Sequence, residues 1–157
     1  MPSVTKTVEL GVPQEQAFTL ATDPNRFEEW LTLHKSWPNG APTSTEAGQE
    51  FVQKLSIMGM PADVNWKVAE HDAPSKLVLK GSGPMGAQLA TTITATADGA
   101  VSYEAEFSGG GIQGPMGEMV TKKAGEEIEA SLGKLKTLAG PDFVRPGENA
   151  PGRILEG

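Results

Sequence analysis

The chain has no cysteine. Disulfides, thiolate metal ligands and a cysteine nucleophile are therefore excluded, and a reducing compartment fits. Histidine occurs only at His34 and His71. So few imidazoles leave little room for a metal centre or an acid–base cluster, and neither a metal nor a cofactor is expected. Positive charge is also short: 13 Lys and Arg face 20 Asp and Glu, a net charge of −7. Nucleic acid and anionic membrane surfaces reward clustered basic residues, so neither is expected as the main partner. No apolar run is long enough to cross a bilayer, and no basic start leads into a signal-like apolar stretch. The expectation is a cytoplasmic protein without membrane insertion. At 157 residues with 38% hydrophobic side chains, the chain suits one domain around one core.

What is present has a distinctive order. Val4, Lys6, Val8 and Leu10 alternate with Thr5, Thr7 and Glu9, which predicts a strand. Pro13 then suits the first turn of a helix. Ala17, Phe18, Leu20 and Ala21 form its apolar side. Asp23-Pro24 ends that helix, because the residue before proline avoids helical angles. Asp23 also suits the N-cap of a second short helix bearing Phe27, Trp30 and Leu31. Residues 38–49 read as loop, with Pro38, Asn39-Gly40, Pro42 and Gly48.

Several antiparallel strands should follow. Phe51, Gln53, Leu55 and Ile57 alternate, then Val64, Trp66 and Val68, then Leu77 and Leu79. Leu89, Thr91, Ile93 and Ala95 precede Asp98-Gly99, a strong hairpin signal, and Val101, Tyr103, Ala105 and Phe107 complete the pair. The segment from about Pro115 to Ala139 lacks proline after its start, and Met116, Met119, Val120, Ala124, Ile128, Leu132, Leu135 and Leu138 suggest one helical stripe. Gly140-Pro141 stops it. A domain over 1–139 with a flexible tail over 140–157 is expected.

The Asp23-Pro24 helix pair with Trp30, the strand series and the long terminal helix together resemble the START-like, Bet v 1-like superfamily (SRPBCC), in its polyketide cyclase/dehydrase branch. The likeness covers roughly residues 3–139. The family commonly places proline after the tryptophan, where this chain has Leu31. The resemblance implies an α+β helix-grip fold: a curved antiparallel β-sheet wraps a long C-terminal helix, with two short helices after the first strand. It also implies a cavity between sheet and helix that receives lipids, polyketides or other apolar molecules. Within the superfamily the chain is similar to a subgroup described as toxins of toxin–antitoxin pairs, which implies an antitoxin-like protein partner.

The candidate lining of that cavity starts from methionine, which adapts to irregular apolar shapes. Met58, Met85, Met116 and Met119 are its candidates, with Met60 nearby in sequence and Val120 beside them on the helix. Ordinary core filling is the alternative for each. Gln53, Leu55, Trp66 and Tyr103 lie in strands with inward phase, whereas Gln88 is opposite in phase to Leu89. A polar group on an apolar wall needs a partner, which a ligand oxygen supplies. Trp30 and Trp37 are candidates for the cavity mouth. The catalytic candidates are His34, Tyr103 and Asp63; a structural histidine is the competing reading of His34. His71 falls in a polar turn. Lys122–Glu126 and Lys123–Glu127 fit surface pairs. Three functions stay open: a binding protein for a small hydrophobic molecule, a cyclase/dehydratase-like enzyme that positions its substrate, and a toxin or regulator acting through protein partners.

Overall fold

The structure is a computed structural model that describes residues 3–57, 59–109 and 114–139. Met58 and the expected tail lie outside the described residues. Among those described, seven strands form one antiparallel sheet. They are β1 (Ser3–Glu9), β2 (His34–Ser36), β3 (Glu50–Ile57), β4 (Met60–Asp72), β5 (Lys76–Ser82), β6 (Gln88–Ala95) and β7 (Ala100–Ser108). Their order is β1-β7-β6-β5-β4-β3-β2. The chain therefore winds from β2 to β7 by neighbour pairing, and only β1 crosses to the far edge. The sheet curls into a half-barrel, and the long helix α3 (Gly114–Ala139) packs on its concave side, along β1 and across to β3. This is the expected helix-grip architecture.

Local chemistry explains the elements. Along β4 the side chains of Val64, Trp66 and Val68 are buried while Asp63, Asn65 and Lys67 are exposed, the two-residue period of a one-sided strand. A register shift between Val68 and Glu70 marks an irregularity in β4 that bends it. The β6–β7 hairpin turns at Gly99 with φ +86°, where an added Cβ would lie 2.1 Å from the Val12 carbonyl oxygen. Only glycine meets both demands.

Helix α1 (Gln14–Thr22) begins one residue after Pro13, which sits at the N-cap with ψ 151° rather than inside the first turn. Asp23 then does both expected jobs. It ends α1, and its carboxylate accepts from the Asn25 backbone N–H at 3.0 Å to start a 3-10 turn, Pro24–Arg26. Helix α2 (Phe27–Trp30) follows at once and buries Phe27 and Trp30.

Two sequence expectations shift. His34 begins β2, a strand whose His-Lys-Ser has no apolar alternation to reveal it; its partner Leu55 on β3 creates it. His71 lies in β4 rather than in a turn, and its Nδ1 is 2.6 Å from the Thr45 carbonyl oxygen. It therefore donates there and ties the long loop to the sheet.

Candidate functional site

The concave face and α3 enclose an apolar wall. Leu55, Val64, Trp66, Leu79, Ile93 and Phe107 come from the sheet, and Val120, Ala124, Ile128 and Leu135 come from α3; all are buried. Gly81 makes room for the largest of them. It pairs with Trp66 across β4 and β5, and a Cβ there would fall 2.7 Å from the Trp66 ring. Buried polar side chains on the described residues are Thr22, Gln53, Thr91 and Ser131, none of them charged. Ser131 accepts from the Thr32 backbone N–H at 2.8 Å, which ties the chain after α2 to α3.

One hydrogen-bonded line runs outward through this wall. The Trp66 indole N–H donates to Gln53 Oε1 at 2.9 Å, and Gln53 Nε2 stands 2.8 Å from His34 Nδ1. An indole nitrogen only donates, so the amide oxygen faces Trp66. The amide nitrogen then faces His34 and also only donates. His34 Nδ1 must accept, which makes the ring neutral with its hydrogen on Nε2. Burial pushes the His34 pKa down, against the opposing pull of Glu28. The ring packs against Trp37, with centroids 4.8 Å apart, and against Phe27.

A second group lies deeper. Burial pushes the Tyr103 hydroxyl up to about 12, against the effect of its hydrogen bond with Thr91. Tyr103 therefore stays protonated near neutrality. The Trp30 ring meets Tyr103 edge-on, with centroids 6.4 Å apart. Trp30 Nε1 is buried without a hydrogen-bond partner among the described residues.

The predicted residues divide. Gln53, Leu55, Trp66, Tyr103 and Val120 are all buried between sheet and α3. Trp30 is not at a mouth: it is 1% exposed and closes the core. Trp37 is partly buried, and its N–H donates to the Pro24 carbonyl oxygen at 3.2 Å. The methionines go the other way. Met85 is 84% exposed, and Met116 and Met119 are 50% exposed each. Helical phase explains the last two: Met119 precedes the fully buried Ile128 by about two and a half turns, which puts it on the opposite face. Met85 sits in the β5–β6 turn at φ +59°, pointing away from the wall. Met60 is likewise exposed.

Of the three catalytic candidates, Asp63 stands apart from the other two. Asp63 is on the outer face of β4, opposite in phase to Val64, and pairs with Lys54 at 2.9 Å. His34 bonds to Gln53 and Tyr103 to Thr91. On α3, Lys123 pairs with Glu126 at 3.6 Å, while Glu127 accepts from the Thr32 hydroxyl. Thr91 was visible in the β6 alternation but carries no sequence signal for its contact with Tyr103. No group of three or more metal-ligating side chains occurs among the described residues.

Three clefts open at the surface, one of which reaches Trp66 of the wall. One of about 300 Å³ separates α1 from the end of α3, beside Val12, Leu20 and Ala139. Another of about 400 Å³ lies under residues 39–43 against Phe51. The third, about 340 Å³, adjoins Phe18 and His71. No described helix is long and apolar enough to cross a membrane.

Comparison with known proteins agrees with this architecture. The chain is 27% identical over 141 residues to Toxin Rv0910 of Mycobacterium tuberculosis, covering 88% of this chain and 98% of that protein. TTHA0849 from Thermus thermophilus shares the fold with a TM-score of 0.69 and 17% identity, covering 88% of this chain and 97% of the other. A START superfamily protein from Mycobacterium smegmatis does so with a TM-score of 0.61 and 15% identity, covering 87% and 98%. A family model described as polyketide cyclase / dehydrase and lipid transport matches residues 1–140. With every described residue inside that match, the protein belongs to the polyketide cyclase/dehydrase and lipid transport family.

Proposed function

We propose that the protein encloses a small hydrophobic molecule between the concave sheet and α3. One observation carries this reading: the wall joining them is apolar and free of charge, and its polar groups are neutral ones such as Gln53, Thr91 and Tyr103. An apolar surface with a few placed polar groups is the usual chemistry of a small-molecule site. The lining in this reading is Gln53, Leu55, Trp66, Tyr103 and Val120, with Trp30 as its floor and Trp37 and His34 at its rim. The exposed Met85, Met116 and Met119 are left out of it. Binding without catalysis is favoured over a cyclase/dehydratase activity because His34, Tyr103 and Asp63 do not form an acid–base set. The test is native mass spectrometry of gently purified protein, followed by solvent extraction. A reproducible small-molecule mass supports the reading; a clean protein mass together with no uptake of added naphthalene sinks it.

A second reading has its own observation. Met60, Met85, Met116 and Met119 are exposed: Met60 opens β4, Met85 lies in the β5–β6 turn, and Met116 and Met119 lie in the first two turns of α3. Exposed methionine suits an adaptable protein contact, and the relative named a toxin raises an antitoxin-like partner. A Met85→Lys, Met119→Lys variant should lose capture of the product of a neighbouring gene; unchanged capture removes this surface from consideration.

A further inference from the structure

We propose that the enclosed ligand is an uncharged apolar molecule whose buried oxygen, a carbonyl or a hydroxyl, accepts a hydrogen bond from the Trp30 indole N–H. This rests on the ligand reading above and narrows its chemical class.

The chain has three tryptophans. Two of them have partners for their N–H: Trp66 donates to Gln53 and Trp37 to the Pro24 carbonyl oxygen. Trp30 is the most buried of the three, at 1% exposed, and its Nε1 has none among the described residues. A buried donor without an acceptor keeps its full desolvation penalty, so native structures rarely leave one. The described rings that meet Trp30 edge-on are Phe27, at 5.8 Å between centroids, and Tyr103, at 6.4 Å. A water needs two to four polar partners to be held in a core, which this aromatic setting does not favour. A ligand oxygen carried on an apolar skeleton needs only the one N–H, because its skeleton is held by the wall.

The charge of the ligand follows from the same wall. No Lys, Arg, Asp or Glu is among the buried residues described. A carboxylate or phosphate inside would have no cation to meet, and burying an unpaired charge is far costlier than burying a carbonyl. Tyr103 beside Trp30 is itself held neutral by burial. Fatty-acid carboxylates and phospholipid headgroups are therefore disfavoured inside, and neutral phenols, ketones and alcohols are favoured.

The experiment uses the full chain with 15N-labelled indoles and three probes: naphthalene, 2-naphthol and 2-naphthoate. In the wild type, 2-naphthol should bind about tenfold tighter than naphthalene, the effect of satisfying one buried donor. It should also move the Trp30 indole N–H resonance downfield relative to the naphthalene complex, the sense of a newly formed hydrogen bond. 2-Naphthoate at neutral pH should bind more weakly than either. Trp30→Phe keeps the ring but removes the N–H, and should bring 2-naphthol down to the affinity of naphthalene. The inference is overturned if wild type holds naphthalene and 2-naphthol equally, if the preference survives in Trp30→Phe, or if 2-naphthoate matches 2-naphthol. It is also overturned if the Trp30 indole shows the same cross-relaxation to water with and without 2-naphthol, since a buried water is then its partner. The indole resonance is read on the wild type, so it stands even if Trp30→Phe does not fold. Uptake of naphthalene with no preference for 2-naphthol rejects this inference alone; failure of both to bind rejects the enclosed-ligand reading with it.

Discussion

Replacing Gln53 with glutamate should invert the titration of His34. In the native line, Gln53 gives its oxygen to the Trp66 N–H at 2.9 Å and its amide nitrogen to His34 Nδ1 at 2.8 Å. His34 must stay neutral to accept, and burial already lowers its pKa from the ordinary 6.5. Glutamate at the same place still accepts from Trp66 but has no hydrogen for His34. The ring is then favoured as the imidazolium, donating Nδ1–H to a carboxylate. An opposite charge at such a distance raises an imidazole pKa by about 1–3 units, so the His34 pKa of Gln53→Glu should lie above 6.5. The sign of the pH dependence reverses with it. In the wild type the lowered pKa makes stability fall as pH drops below 6.5 toward the folded-state value. In the variant, the contribution from His34 is present at low pH and is lost as pH rises through the raised pKa. The assay is NMR titration of the His34 ring protons, with urea unfolding at several pH values. A control, Gln53→Met, orphans the Trp66 N–H and should cost about 1–3 kcal/mol at neutral pH. A folded Gln53→Glu variant whose His34 pKa stays below 6.5 would refute the assigned line of donors and acceptors.

Three further outcomes are expected. Tyr103 is the one tyrosine of the chain, so ultraviolet difference absorbance reports it alone; the folded protein should form tyrosinate only near pH 12, and titration near pH 10 without unfolding would contradict the burial. Because that pKa is raised, the contribution of Tyr103 to stability is full below pH 10 and is lost as pH climbs from there. Gly81→Ala places a Cβ 2.7 Å from the Trp66 ring and 2.9 Å from the Asn65 carbonyl oxygen; it should lower stability by about 1–3 kcal/mol and shift Trp66 fluorescence, and a neutral result would mean that β5 stands off from Trp66. Ile128→Ala should cost about 2–5 kcal/mol, whereas Met119→Ser should stay within about 0.5 kcal/mol; equal losses in chemical denaturation would show that the buried stripe of α3 has been assigned to the wrong face.

The helix pair around Asp23-Pro24 and the strand alternations were legible because each is a local rule. Proline restricts its predecessor, a cap needs a short acceptor side chain, and a one-sided strand alternates. The methionines misled because stripe and flank differ by one residue on a helix. Met116 and Met119 precede the buried Gly117 and Val120, and a shift of one position turns a side chain by about 100°. The β2 strand was invisible because its ladder comes from Leu55 and Lys54 rather than from any pattern in His34–Ser36.

The sequence alone determined the order of elements apart from β2, the family, the inward phase of Gln53, Leu55, Trp66 and Tyr103, and the absence of thiol chemistry. These follow from composition and from contacts a few residues apart. Only the tertiary structure decided what each polar group meets. Gln53 joins Trp66 to His34 from positions 13 and 19 residues away, and Tyr103 lies over Trp30, brought there from the opposite half of the chain. Such meetings depend on the curl of the whole sheet around α3, which no local window contains. The same closure separated Asp63 from Tyr103, placing one on the outer face and the other within the wall.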